Sequence, residues 1–104
     1  MTLEQFRDVL LTVTDEVYHF ESHKQAEYVV WHEVGRISIS GDDSSAESGT
    51  RIAVDYFTKD EYSSLPEQLT TVLSSCDDIA VRGPVVIFEG ATKLIHYAWT
   101  CEVV

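Results

Sequence analysis

The sequence predicts an α+β domain of element order α-β-β-β-α-β-β, with a mainly antiparallel sheet and two helices packed on it. Two stretches, opening near Leu3 and Leu65, repeat apolar residues at spacings of three and four, the signature of one-sided helices. The rest of the apolar content falls in β-branched and aromatic runs separated by short polar turns. Strands grouped between helices in this way favour hairpins over crossovers.

The first helix is expected from Thr2 to about Thr14, because Leu3, Phe6, Leu10 and Val13 fall on one face. Thr2 followed by Gln5 matches a capping box, in which each side chain satisfies a free backbone N–H of the other residue. From Glu16 the period shortens. Val17-Tyr18-His19-Phe20 is a short strand, and Ser22-His23-Lys24-Gln25 a polar turn. Ala26 to Val34 carries apolar residues on both faces (Tyr28, Val29, Val30, Trp31 and Val34), which predicts a strand covered on both sides. Ile37 and Ile39 alternate with Arg36, Ser38 and Ser40, extending that strand or starting an edge strand.

Gly41 to Gly49 has no large apolar residue, and its Gly, Ser and Asp content predicts an exposed, mobile acidic loop. Thr50 to Lys59 returns to strand, with Ile52, Val54 and Tyr56 on one face and Ala53 and Phe57 on the other. In the second helix Ser64 and Glu67 offer another capping box and Pro66 suits the first turn. Leu65, Leu69, Val72, Leu73 and Cys76 form its apolar stripe, and Asp77-Asp78 ends it, since acids oppose the helix dipole there. Ile79 to Phe88 is a strand broken at Gly83-Pro84, because proline cannot donate within a ladder. Glu89 to Thr92 turns the chain. In Lys93 to Val103, Ile95, Tyr97, Trp99, Cys101 and Val103 face one way, and His96, Thr100 and Glu102 the other.

A length of 104 residues predicts a single domain, 1–104, large enough to bury a core without staples. No apolar run approaches the roughly 20 residues of a membrane span, and Met1 to Gln5 lack the basic start of a signal peptide. Synthesis in the cytoplasm, and Cys76 and Cys101 as free thiols, are the matching expectations. Eighteen acidic against seven basic residues give a net charge of −11. Such a balance opposes gripping nucleic acid, which needs Lys and Arg to displace counterions from phosphate.

The motifs of catalysis are missing. Of the four histidines, His19 and His23 share a face only in a helix, but sit where strand and turn are expected; His32 and His96 lie in separate strands. No metal or cofactor is expected. Ser44 and Ser45 stand beside acids without a base, no Gly-x-Ser-x-Gly elbow occurs, and Gly41 and Gly49 bracket acids that repel phosphate. Paired carboxylates (Asp15-Glu16, Asp42-Asp43, Asp60-Glu61, Asp77-Asp78) fall at element boundaries, where solvation accounts for them. The expectation is a non-enzyme that works through protein contacts. Trp31 and Tyr97 are its candidate interface anchors, aromatics carrying much of the energy of such contacts.

Several segments resemble the tail-terminator, or tail-completion, proteins of long-tailed bacteriophages and prophages, including the tail-to-head joining type. They are Leu3-Glu4-Gln5-Phe6-Arg7, Glu27-Tyr28-Val29-Val30-Trp31, the acid-and-aromatic strand Arg51 to Lys59, and the closing strand Tyr97 to Val103. The likeness is one of pattern and spans nearly the whole chain. It implies a homo-oligomeric ring, a hexamer, that caps the tail tube, meets a tail-tube protein and a head-connector protein, and sits in the virion tail after assembly in the bacterial host cytoplasm. It also implies that DNA passes through a negative lumen without specific binding, and that no membrane is involved. In that setting Asp42, Asp43, Ser44, Ser45 and Glu47 of the acidic loop join Trp31 and Tyr97 as interface candidates. Ring closure needs one patch to meet a different one on the next subunit, and the exposed faces of the second and last strands are the expected patches. The alternative is a small acidic inhibitor, an immunity protein or antitoxin, steered onto a basic partner by its charge.

Overall fold

The computed structural model describes residues 1–21, 27–39 and 47–104; the expected polar turn Ser22–Gln25 and most of the expected acidic loop lie outside the described residues. The elements are α1 (Leu3–Leu11), β1 (Val17–His19), β2 (Tyr28–Ile39), β3 (Glu47–Thr58), α2 (Leu65–Ser74), β4 (Ile79–Glu89) and β5 (Leu94–Val103). The order is the α+β arrangement that the sequence predicts. The five strands form one sheet in the order β1-β2-β3-β5-β4.

Helix α1 starts where Thr2 and Gln5 close the capping box: the Thr2 N–H donates to Gln5 Oε1 at 2.8 Å, and the Gln5 N–H to Thr2 Oγ1 at 3.1 Å. It ends at Leu11, about a turn before the expected boundary. Helix α2 starts differently from the expectation. Ser64 makes no cap hydrogen bond because its backbone is already helical. Ser63 Oγ instead accepts the Leu65 N–H at 3.3 Å, and Ser64 Oγ accepts from Gln68 at 3.0 Å.

Both helices lie on one face of the sheet. Phe6 and Leu10 of α1 and Leu69 and Leu73 of α2 are fully buried against Val29, Trp31, Ile52, Val54, Tyr56, Trp99, Cys101 and Val103. Burying one such aliphatic side chain stabilises the fold by about 1.5–3 kcal/mol, so this layer supplies most of the driving force. Trp99 fixes α2 in place as well as filling space, since its Nε1–H donates to Thr70 Oγ1 at 2.9 Å. Four consecutive residues of β2, Tyr28 to Trp31, are buried, in line with its apolar residues on both faces.

Three features depart from a simple meander. Strand β1 pairs parallel with β2, Val17 opposite Val29 and His19 opposite Trp31. The chain kinks after β1 at Phe20, whose φ of 68° is left-handed, while the Glu21 N–H donates to the His19 carbonyl at 2.8 Å. Strand β2 runs on through Ile39 with a register shift between Glu33 and Gly35, which leaves Val34 out of the ladder. Strand β3 begins at Glu47 and so takes in the end of the expected loop. Gly49 pairs with Ile37 there, where a Cβ would lie 2.7 Å from the Val103 carbonyl oxygen.

Strand β4 carries the expected irregularity, with a cis Gly83–Pro84 bond and a register shift between Arg82 and Val85. Gly83 has φ +110°, and a Cβ on it would stand 2.7 Å from the Ala98 carbonyl oxygen. Gly83→Ala therefore combines backbone strain with a clash against an immovable neighbour strand. We expect it to lower stability by about 2–3 kcal/mol, read as a fall in the urea midpoint at constant slope.

Candidate functional site

The registers place the β2–β3 and β4–β5 hairpin ends at opposite ends of the sheet. The helices cover one face only, and α2 approaches β4 from the side of its opening residue Ile79, which is buried. Beyond Pro84 neither face of β4 is covered by the described residues. Val86, paired with Tyr97, points to the helix side, and Ile87, paired with His96, to the open side. Val85, Val86, Ile87 and Phe88 are 61%, 57%, 47% and 64% exposed. As the last strand in the order, β4 has one strand neighbour, β5. A strand of this kind, apolar on both faces with one edge unpaired, is a template for pairing with another chain.

Polarity distinguishes this hairpin further. From Ile79 to Val103 there are two acids, Glu89 and Glu102, against Arg82 and Lys93, so the hairpin is neutral while the remainder of the chain carries −11. A chain that repels its own copies over most of its surface has here a region that does not.

The open face carries a second cluster. Tyr28, Phe57 and His96 lie across β2, β3 and β5 in one row, with ring centroids 5.1 Å and 4.3 Å apart. His96 Nε2 is 2.6 Å from Asp55 Oδ1, and Nδ1 is 3.9 Å from Glu89 Oε1. The Asp55 and Glu89 carboxylates thus flank a half-buried imidazole and fix its ring against Phe57. At the opposite edge, His19 stacks between Phe20 and Trp31, with centroids 4.1 Å and 4.0 Å away, and meets the Glu33 carboxylate. Among the described residues no group of three or more His, Cys, Asp and Glu is arranged to hold a metal ion. No helix among them is long and apolar enough to cross a membrane.

Of the expected interface residues, Trp31, Tyr97 and the backbone of Glu47 are among the described residues. Trp31 is 2% exposed and packs on Phe6 under α1, so it has no surface to offer a partner; its burial follows from sharing a face with Val29, toward the helices. Tyr97 is half-buried on that same face beside Tyr56 and Trp99. Glu47 contributes its backbone to the start of β3, and Asp42, Asp43, Ser44 and Ser45 lie outside the described residues. Sequence reading missed the Val85–Phe88 edge. Its signal was four apolar residues in a row beside a proline, which an alternating, one-sided strand does not show.

The two thiols are free, Cys101 buried and Cys76 half-buried. Burial pushes the Cys101 thiol up to about 12. The Tyr56 hydroxyl is also pushed up to about 12, chiefly by burial and then by donating to the Glu27 carboxylate; Ser63 Oγ lies 2.9 Å away.

No family model matches this sequence, and no curated protein matches it. Solved structures do match. One is a chain in the virion of a native gene transfer agent particle, with a TM-score of 0.57 at 9% identity over 97% of this chain and 86% of that one. At that identity the likeness is one of fold, and it extends over nearly the whole domain: this chain has the fold of a chain found in the virion of a gene transfer agent.

Proposed function

We propose that this chain is a structural protein of a phage-type virion, acting as a tail terminator: a ring of copies that caps the tail tube and joins it to the head connector. The observation that carries this reading is the shared fold with a gene transfer agent virion chain along 97% of the sequence. The exposed apolar strand end Val85–Phe88 supports it, because contiguous exposed apolar surface on a small domain marks an interaction site. In the ring, subunits meet the tube on one side and the connector on the other. The net charge of −11 lines a lumen through which DNA passes without adhering.

The test is removal of the protein from the particle that produces it, followed by electron microscopy of the lysate. The expected result is tubes of uncontrolled length and heads without tails, both rescued by supplying the chain in trans. Tails of normal length joined to heads in its absence would overturn the reading.

A further inference from the structure

We propose that copies of this chain join head to tail through their sheets, the β4 edge of one copy docking on the β1 edge of the next; this rests on the ring reading above. The occupant of the Val85–Phe88 surface is thus a second copy, and four observations argue for it.

The first is strand direction. Strands β1 and β2 are parallel, and each later neighbour in the order β1-β2-β3-β5-β4 is antiparallel, so β4 runs opposite to β1. Rotation about an axis along the strands preserves direction. A ring therefore brings β4 of one copy antiparallel to β1 of the next, the pairing that a sheet extends most readily.

The second is level. Across the sheet, Val17 aligns through Val29, Tyr56 and Tyr97 with Val86, and Tyr18 through Val30, Asp55 and Ala98 with Val85. The exposed segment of β4 thus begins at the height of β1. The third is apolar complement. At the β1 edge Phe20 is 61% exposed, and Val34 on neighbouring β2 is 57% exposed. The four β4 side chains expose about 400 Å², roughly half of one partner's share of a standard interface, and Phe20, two residues from the Tyr18 level, lies within diagonal reach of Val85 to cover part of it.

The fourth is charge. The hairpin of β4 and β5, Ile79 to Val103, carries no net charge, whereas Asp15, Glu16, Glu21 and Glu33 surround the β1 edge. Docking the neutral hairpin on the acidic edge sets no acidic surface against another, whereas docking two β4 edges on each other would close a dimer instead of a ring.

Sedimentation at concentrations up to millimolar distinguishes these arrangements, with circular dichroism confirming that each variant is folded. One variant, Val86→Glu with Phe88→Glu, places acids on exposed β4 positions. The other, Phe20→Asn, removes the ring and suits the left-handed backbone there. The expected result is a wild-type mass that rises with concentration, two variants that each stay monomeric, and an equimolar mixture that stops at two subunits. A wild type that stays monomeric throughout overturns the inference while leaving the virion reading to its own microscopy. A Phe20→Asn variant that still self-associates while the β4 variant does not would establish β4-to-β4 pairing in its place, and association surviving in the β4 variant would exclude this edge.

Discussion

Trp31→Ala should lower the stability of the isolated chain by about 3–5 kcal/mol, a large share of the total for a domain of this size. The indole is 2% exposed and lies between the Phe6 ring at 5.5 Å and the His19 ring stacked at 4.0 Å. Truncation removes the transfer energy of the largest kind of side chain. It also leaves a cavity that α1 cannot fill, because Phe6 and Leu10 are already seated on the sheet. Urea unfolding of dilute protein gives the measurement. A midpoint unchanged from wild type, with a defect confined to assembly, would return Trp31 to the role of interface anchor. The milder Trp31→Phe keeps most of the contact, and removes an indole N–H that is buried without a hydrogen-bond partner. It should cost much less than the alanine.

The second large effect is alkaline unfolding. The Tyr56 hydroxyl rises from 10.0 to about 12, and the Cys101 thiol from 9.0 to about 12. In both, the folded state favours the protonated, uncharged form, because ionisation would place a charge beneath the helices. A folded-state value above the unfolded one means the contribution is whole below pH 9 to 10 and is lost as pH climbs toward 12. Both groups act in the same direction, so their contributions are lost together over that window. Thermal melts should therefore fall as pH rises through that window. Cys101→Ala should start from a lower melt at neutral pH, through the small cavity, yet decline less with pH. A melting temperature constant from about pH 9 to pH 12 would contradict the burial of both groups.

These two effects show how far local pattern reaches. The capping box at Thr2, the stripes of both helices and the alternation Ile95 to Val103 are written in nearest-neighbour spacing, because periods of 3.6 and 2 assign residues to faces without knowledge of the partner. The interruption at Gly83-Pro84 is equally local, since a missing N–H breaks a ladder wherever it falls. The N-terminus of α2 shows the limit: Ser63 and Ser64 are both competent caps, and the choice depends on a backbone angle set by how the chain leaves β3.

What the sequence by itself determined is therefore the class of fold, the element order, the core faces and an acidic balance unsuited to gripping phosphate. What only the tertiary structure decided is which apolar residues remain uncovered. Trp31 and Phe88 are both large, apolar and in strands, yet one is buried and the other 64% exposed. The difference lies in where the helices stop over the sheet and in β4 falling last in the strand order. Strand order and helix reach are set by packing between residues distant in sequence, so no window along the chain contains them. The parallel pairing of β1 with β2, and with it the opposed directions of the two sheet edges, is decided at the same level.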